Sequence, residues 1–156
     1  LAPLVDLPPP VRVAPAGDTG DAGPIGNEPV EVDKRAIAMV LVVDRSGSMG
    51  TPLANGQTKM SYAKTSAWRT ARALGEGDSV ALVTFGDKNF GRVELPLTDA
   101  TDVVAVRQGV ERLAHSSERT FLLDGLRRAH ELLRGSDAAV RHVVVLTDGE
   151  FDLDEK

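Results

Sequence analysis

The sequence has no cysteine and few aromatic residues, and each shortage excludes a class of site. Among its 156 residues there are no Cys, one Trp, one Tyr and four Phe. Without thiols the chain can form no disulfide, no thiolate zinc site and no cysteine nucleophile. So small an aromatic content is also a poor basis for a platform that stacks nucleic-acid bases.

The sequence also has no excess of positive charge and no long apolar runs. The 18 basic residues are outnumbered by 23 acidic ones, which gives a net charge of −5. General nucleic-acid binders tend to be basic, so we expect no nucleic-acid partner. No apolar run reaches the roughly 18 residues that a membrane-spanning helix needs, so we expect no membrane contact by this segment itself.

Proline and glycine are concentrated at the start of the chain. Residues 1–33 contain seven of the nine prolines and four glycines. This composition favours extended, poorly hydrogen-bonded conformations, so we interpret residues 1–35 as a linker or lead-in and residues 36–156 as the domain. The alternative is a strand around Val11–Val13 that packs on another domain.

From residue 36 onward, apolar runs of strand length alternate with amphipathic segments. Most of the runs lack an alternation of polar and apolar residues, as in strands that are covered on both faces of a parallel sheet. The strands are predicted at 36–43, 79–85, 91–97 and 140–146. The helices are predicted at 58–74, 99–114 and 121–134. This order predicts an α/β sheet with helices on both faces, in which the second and third strands form an antiparallel hairpin.

Two of the predicted strands lead into an aspartate. Asp44 ends the first strand and precedes Ser46 and Ser48, and Asp148 follows the last strand. If both strands are central and parallel, these side chains meet at one edge of the sheet, where ligands bind in open α/β folds. Gly47 allows a tight turn that can bring the two hydroxyls together. Such an all-oxygen set suits a hard cation such as Mg²⁺.

A fifth oxygen could come from Thr120, in the polar stretch before the third predicted helix. A threonine at such a position usually faces the loops. The alternatives are that Thr120 only caps the helix, and that the two serines only fill a loop. The candidate metal ligands are Asp44, Ser46, Ser48, Thr120 and Asp148.

These motifs, in this order, resemble the von Willebrand factor type A (vWA) domain of the bacterial type, over residues 36–150. The resemblance rests on Asp44-x-Ser46-x-Ser48 after an apolar strand, a threonine before a helix, and Thr147-Asp148-Gly149 after a later strand. It implies a Rossmann-like open sheet that is mostly parallel, with one antiparallel edge strand. In that family the motif residues form a metal-ion-dependent adhesion site.

The resemblance also implies a role for each candidate residue. Ser46 and Ser48 would bind one divalent ion directly, and Thr120 would bind it directly or through water. Asp44 and Asp148 would act through water or by holding the ligands. The ion would be Mg²⁺, with Mn²⁺ or Ca²⁺ as alternatives, and its open position would take an Asp or Glu of a partner protein. We therefore expect a protein-interaction module that is not an enzyme.

The chain departs from the family pattern in one respect. The family adds further strands after the Thr-Asp-Gly turn, whereas this sequence ends at Lys156. We therefore expect that the C-terminal strands are missing after the fourth strand, and that its uncovered edge could pair with a second copy. The apolar, proline-rich residues 1–10 resemble a stretch that leaves a membrane segment, so we expect a soluble domain of a membrane-anchored bacterial protein.

Other classes of function remain as alternatives. Phosphate-ester hydrolases with an aspartyl-phosphate intermediate also have an Asp after the first strand, but they need a second Asp two residues later, where this chain has Ser46. Neither GxxxxGK[ST] nor GxGxxG opens the first predicted helix, which argues against a nucleotide-binding domain. A structural module with an unused site is the remaining alternative.

Overall fold

The computed structural model describes residues 35–86, 91–116 and 121–149. Almost all of the predicted linker, the alternative strand at Val11–Val13 and the candidate ligand Thr120 lie outside the described residues. The elements are β1 (Ile37–Asp44), a short 3₁₀ helix (Gly47–Gly50), α1 (Lys59–Arg72), β2 (Ser79–Phe85), β3 (Arg92–Asp99), α2 (Val103–Arg112), α3 (Leu122–Arg134) and β4 (Val140–Leu146). None of the helices in these ranges combines the length and apolar character that a membrane crossing requires.

The strands form one mixed sheet in the order β3-β2-β1-β4. β1 pairs in parallel with β2 and β4, and β3 pairs antiparallel with β2. The predicted open sheet with one antiparallel edge strand is therefore confirmed. Val43 of β1 lies beside Thr84 of β2 and Leu146 of β4, so the carboxyl ends of three strands meet at one edge of the sheet.

β1 supplies side chains to the core on both faces of the sheet. Leu41 and Val43 belong to the apolar cluster beneath α1 and α2. Val40 and Val42 belong to the cluster beneath α3. All four are fully buried, which explains why the sequence of this strand is an unbroken apolar run. Helices on both faces were predicted, and the two clusters confirm them.

A glycine allows α3 to lie close to the sheet. A β-carbon at Gly125 would lie 2.9 Å from Cγ1 of Val42 and 3.1 Å from Cβ of Phe85. Val42 and Phe85 lie near the carboxyl ends of β1 and β2. The close approach therefore places the first turn of α3 beside the edge at which these strands end.

The start of α2 differs from the sequence prediction. The helix begins at residue 103 rather than 99, because Asp99 still belongs to β3 and Asp102 caps the helix. The Asp102 carboxylate accepts a hydrogen bond from the N–H of Ala105 at 3.0 Å. Hydrogen bonds from the hydroxyl and the N–H of Thr101 lower the pKa of Asp99.

β4 is less covered than its apolar sequence predicted. In the described residues it forms the end of the sheet opposite β3, and Val143 and Val145 are 42% and 36% exposed. Of the two strands that lead into an aspartate, β1 therefore lies inside the sheet and β4 lies at its end in the described residues, and the pairing of the two is parallel, as the sequence analysis assumed. Pairing of the outer edge of β4 with a second copy stays a prediction.

Replacing Gly125 with valine is expected to lower the free energy of unfolding by about 2 kcal/mol or more, because the new side chain would push α3 away from two buried residues. Gly135→Val is the control, since a β-carbon there meets only the carbonyl oxygen of Leu132 at 3.6 Å. Urea unfolding followed by circular dichroism compares the two variants. Equal stability of the two would contradict the close approach of α3.

Candidate metal site at the sheet edge

Asp44 lies at the end of β1 and is fully buried. Its Oδ1 accepts a hydrogen bond from the N–H of Ser46 at 2.8 Å. Its Oδ2 accepts a hydrogen bond from the hydroxyl of Thr147 at 2.7 Å. A buried carboxylate needs such partners, because an unsatisfied one is costly. The side chain therefore joins the loop after β1 to the turn after β4.

The hydroxyls of Ser46 and Ser48 lie together in the loop that follows Asp44. Their oxygens are 2.9 Å apart. The 3₁₀ helix holds this spacing, since the N–H of Met49 donates to the carbonyl of Ser46 at 3.1 Å and Met49 is itself buried. Gly47 begins this helix and does not have a positive φ. The tight turn is thus helical and does not need the conformational freedom of glycine.

Asp148 follows β4 and forms an ion pair with Lys59, the first residue of α1. The Nζ of Lys59 lies 2.7 Å from Oδ2 of Asp148. Lys59 was not predicted as a site residue, because 89 residues separate it from Asp148 and only the fold brings them together. The sequence signal that could have indicated it is a cation in the first turn of a helix, where the helix dipole disfavours positive charge.

Thr147, part of the sequence motif after β4, has contacts that the sequence did not predict. Its hydroxyl donates to Asp44 and accepts a hydrogen bond from the N–H of Gly149 at 3.0 Å. Gly149 has a φ of 88°, a conformation that favours glycine. Thr147 thus bonds the turn after β4 to the end of β1, and Gly149 allows the backbone conformation of this turn. Asp148 lies between these two residues.

Ser116 joins a further segment to the site. Its N–H donates to the carbonyl of Arg45, and its hydroxyl donates to the carbonyl of Gly86 at 2.7 Å. The N–H of Arg45 in turn donates to the carbonyl of Phe85 at 2.9 Å. The loop after β1 is therefore fixed against the end of β2 and the segment after α2. Thr120 lies outside the described residues, and its role stays a prediction.

The donors at this edge fit a hard cation by their chemistry. Within the described ranges, no three His, Cys, Asp or Glu side chains form a metal cluster. The candidate set instead has two carboxylates and two hydroxyls, all oxygen donors of the kind that Mg²⁺ prefers. With Mg–O distances of about 2.1 Å, adjacent octahedral ligands are about 3.0 Å apart. The distance of 2.9 Å between the serine oxygens matches the spacing of adjacent ligands around such an ion.

Comparison with known proteins shows the family. A family model for the von Willebrand factor type A domain matches residues 39–150, from β1 to just beyond the turn after β4. The chain belongs to the von Willebrand factor type A family. The fold class of this vWA domain is therefore the one predicted from its sequence. A search of curated proteins gave no match.

Solved structures share the vWA fold. The PilB minor pilin from Streptococcus sanguinis has a TM-score of 0.68 at 23% identity, over 78% of this chain and 31% of its own. The vWF domain of the type V pili tip protein Mfa5 from Porphyromonas gingivalis has a TM-score of 0.62 at 23% identity, over 74% and 38%. An uncharacterized membrane spanning protein from Vibrio fischeri has a TM-score of 0.55 at 30% identity, over 67% and 52%. The region of likeness thus covers 31% to 52% of the length of these three chains.

The substitution Thr147→Val is expected to lower the free energy of unfolding by about 1–3 kcal/mol, because it leaves a buried carboxylate oxygen without its donor. Thr65→Val is the matched control, since that hydroxyl bonds the carbonyl of Ser61 on the exposed side of α1. Its expected change is below about 0.5 kcal/mol. Urea unfolding in EDTA measures both, and equal losses would contradict the anchoring role of Thr147.

Proposed function

We propose that this vWA domain is a metal-dependent protein-interaction module with a metal-ion-dependent adhesion site. It binds one Mg²⁺, or Mn²⁺ or Ca²⁺ in its place, and the ion takes an Asp or Glu side chain of a partner as a further ligand. Ser46 and Ser48 bind the ion directly, and Thr120 binds it directly or through water. The observation that carries this proposal is the pair of serine oxygens 2.9 Å apart beside a buried carboxylate.

Asp44 and Asp148 act in this proposal through water or by orienting the ligands. Both oxygens of Asp44 already accept hydrogen bonds from the protein, which fixes the side chain in one orientation. Its negative charge stays beside Ser46 and favours a cation there, because charges interact strongly where little water screens them. Asp148 adds a second negative charge at the same edge.

The same geometry favours binding over phosphate-ester hydrolysis. A nucleophilic aspartate must reach the phosphorus atom of its substrate, whereas Asp44 is fully buried and is engaged through both oxygens. The residue two positions later is Ser46, which cannot replace a carboxylic general acid. Turnover of a phosphate ester that disappears in Asp44→Asn would overturn this choice.

The similar proteins suggest where such a module works. Two of them are named as a minor pilin and a pilus tip protein, and a third as a membrane spanning protein. By analogy, the parent of this chain is a membrane-anchored bacterial protein that presents the domain to a protein partner. The chain covers only part of the length of its relatives, so any activity of the whole parent protein is likewise part of this proposal and not a finding.

Ser48→Ala is expected to abolish Mg²⁺ binding with little change in stability. Ser48 is half-buried and its hydroxyl bonds the hydroxyl of Ser46, so its loss is expected to cost about 1 kcal/mol, the net contribution of one hydrogen bond. Isothermal titration of the domain with MgCl₂ tests binding, with Thr65→Val on the exposed side of α1 as the control. The wild type is expected to bind one ion weakly. The proposal would be contradicted if Ser48→Ala bound Mg²⁺ as well as the wild type does. It would also be contradicted if the wild type did not bind Mg²⁺, which would indicate an unused site.

A random peptide library selected on the immobilised domain in Mg²⁺ and eluted with EDTA tests the partner chemistry. The enriched peptides are expected to share an Asp or Glu whose change to Asn or Gln removes binding, because only the charged oxygen ligates a hard cation well. Enriched peptides without a carboxylate, or peptides that bind equally in EDTA, would show that the domain recognises its partners in another way.

A further inference from the structure

Lys59 brings a positive charge to the proposed metal site. Its Nζ lies 2.7 Å from Oδ2 of Asp148, and the side chain of Asp148 is only 8% exposed. A pair so little exposed to water is screened much less than a surface pair. A divalent ion that is attracted by the carboxylate of Asp148 is therefore repelled by the ammonium group of Lys59, which is already bound to that carboxylate.

The stability of α1 does not explain a lysine at this position. Lys59 directly follows the N-cap residue Thr58, and the first turn of α1 has no acidic residue. The unpaired backbone N–H groups at this end of a helix carry partial positive charge, so a lysine here is unfavourable for the helix itself. The ion pair with Asp148, which is 89 residues away in the chain, helps to compensate for this position.

We propose that Lys59 is a positioning residue that holds Asp148 in the metal-free domain and lowers the affinity of the site for divalent ions. This inference rests on the metal site proposed above. The ammonium group keeps the Asp148 carboxylate in place and neutralises it. A bound ion must share this carboxylate or displace the ammonium, and like charges at short distance repel.

The competition couples metal binding to partner binding. The domain alone holds the ion weakly, because the negative charge of Asp148 at this edge is already paired with Lys59. A partner carboxylate adds a negative charge that compensates for both cations, so it strengthens metal binding. By thermodynamic linkage the ion strengthens partner binding by the same factor.

The test is the substitution Lys59→Met, which keeps most of the side-chain length and removes the charge. Titration with MgCl₂ is expected to give at least tenfold tighter binding than in the wild type. In EDTA the same variant is expected to melt at a lower temperature, because the ion pair between Lys59 and Asp148 is lost. Lys64→Met is the control on the same helix, since Lys64 donates to the carbonyl of Glu111 at the exposed surface and should change neither measurement. Lys59→Arg keeps the charge and is expected to keep the weak affinity.

The outcomes separate this inference from the function on which it rests. If the wild type binds Mg²⁺ and Lys59→Met binds it no more tightly, the inference is wrong and the metal site stands. If neither binds Mg²⁺, both proposals are wrong. If Lys59→Met binds Mg²⁺ and the wild type does not, the inference about Lys59 is supported, whereas the metal-dependent function proposed for the wild-type domain is contradicted. When Asp148→Asn is added to Lys59→Met, the melting temperature in EDTA should recover. Lys59→Gln is a second neutral variant, to be used if Lys59→Met does not fold.

Discussion

The buried carboxylate of Asp44 needs hydrogen-bond donors, and the segments that supply them must lie together at this edge of the sheet. Its donors come from Ser46, two residues later, and from Thr147, which is 103 residues away in the chain. The loop after β1 and the turn after β4 must therefore meet at one place. The parallel pairing of β1 with β4 makes this meeting possible, because it brings the ends of both strands to the same edge.

The interactions that stabilise the fold at this edge also prepare the proposed metal site. Asp44 orients the backbone of Ser46, the buried Met49 holds the 3₁₀ helix, and the two serine oxygens lie 2.9 Å apart as a result. The second carboxylate, Asp148, is balanced by Lys59. In the proposed site the two serines lie close together before an ion arrives, and the strength with which the site binds an ion depends on the charges around it.

The sequence predicts the fold well because its signals are local. β2 and β4 lie at the predicted residues 79–85 and 140–146, since each is an apolar run bounded by polar residues. The start of α2 could not be placed as well, because Asp99 and Asp102 are both plausible caps. The contacts of Lys59 and Thr147 were beyond prediction, as each depends on strand register and on packing between distant segments.

The most direct test of the account is an anomalous difference map from crystals of the domain grown in MnCl₂. Mn²⁺ is an accepted substitute for Mg²⁺ at oxygen-rich sites, and its anomalous scattering distinguishes it from water and from the light atoms of the protein. The account predicts one peak within about 2.2 Å of both Ser46 Oγ and Ser48 Oγ. A map without a peak at this edge, or with a peak elsewhere and the two serine side chains turned away, would contradict it.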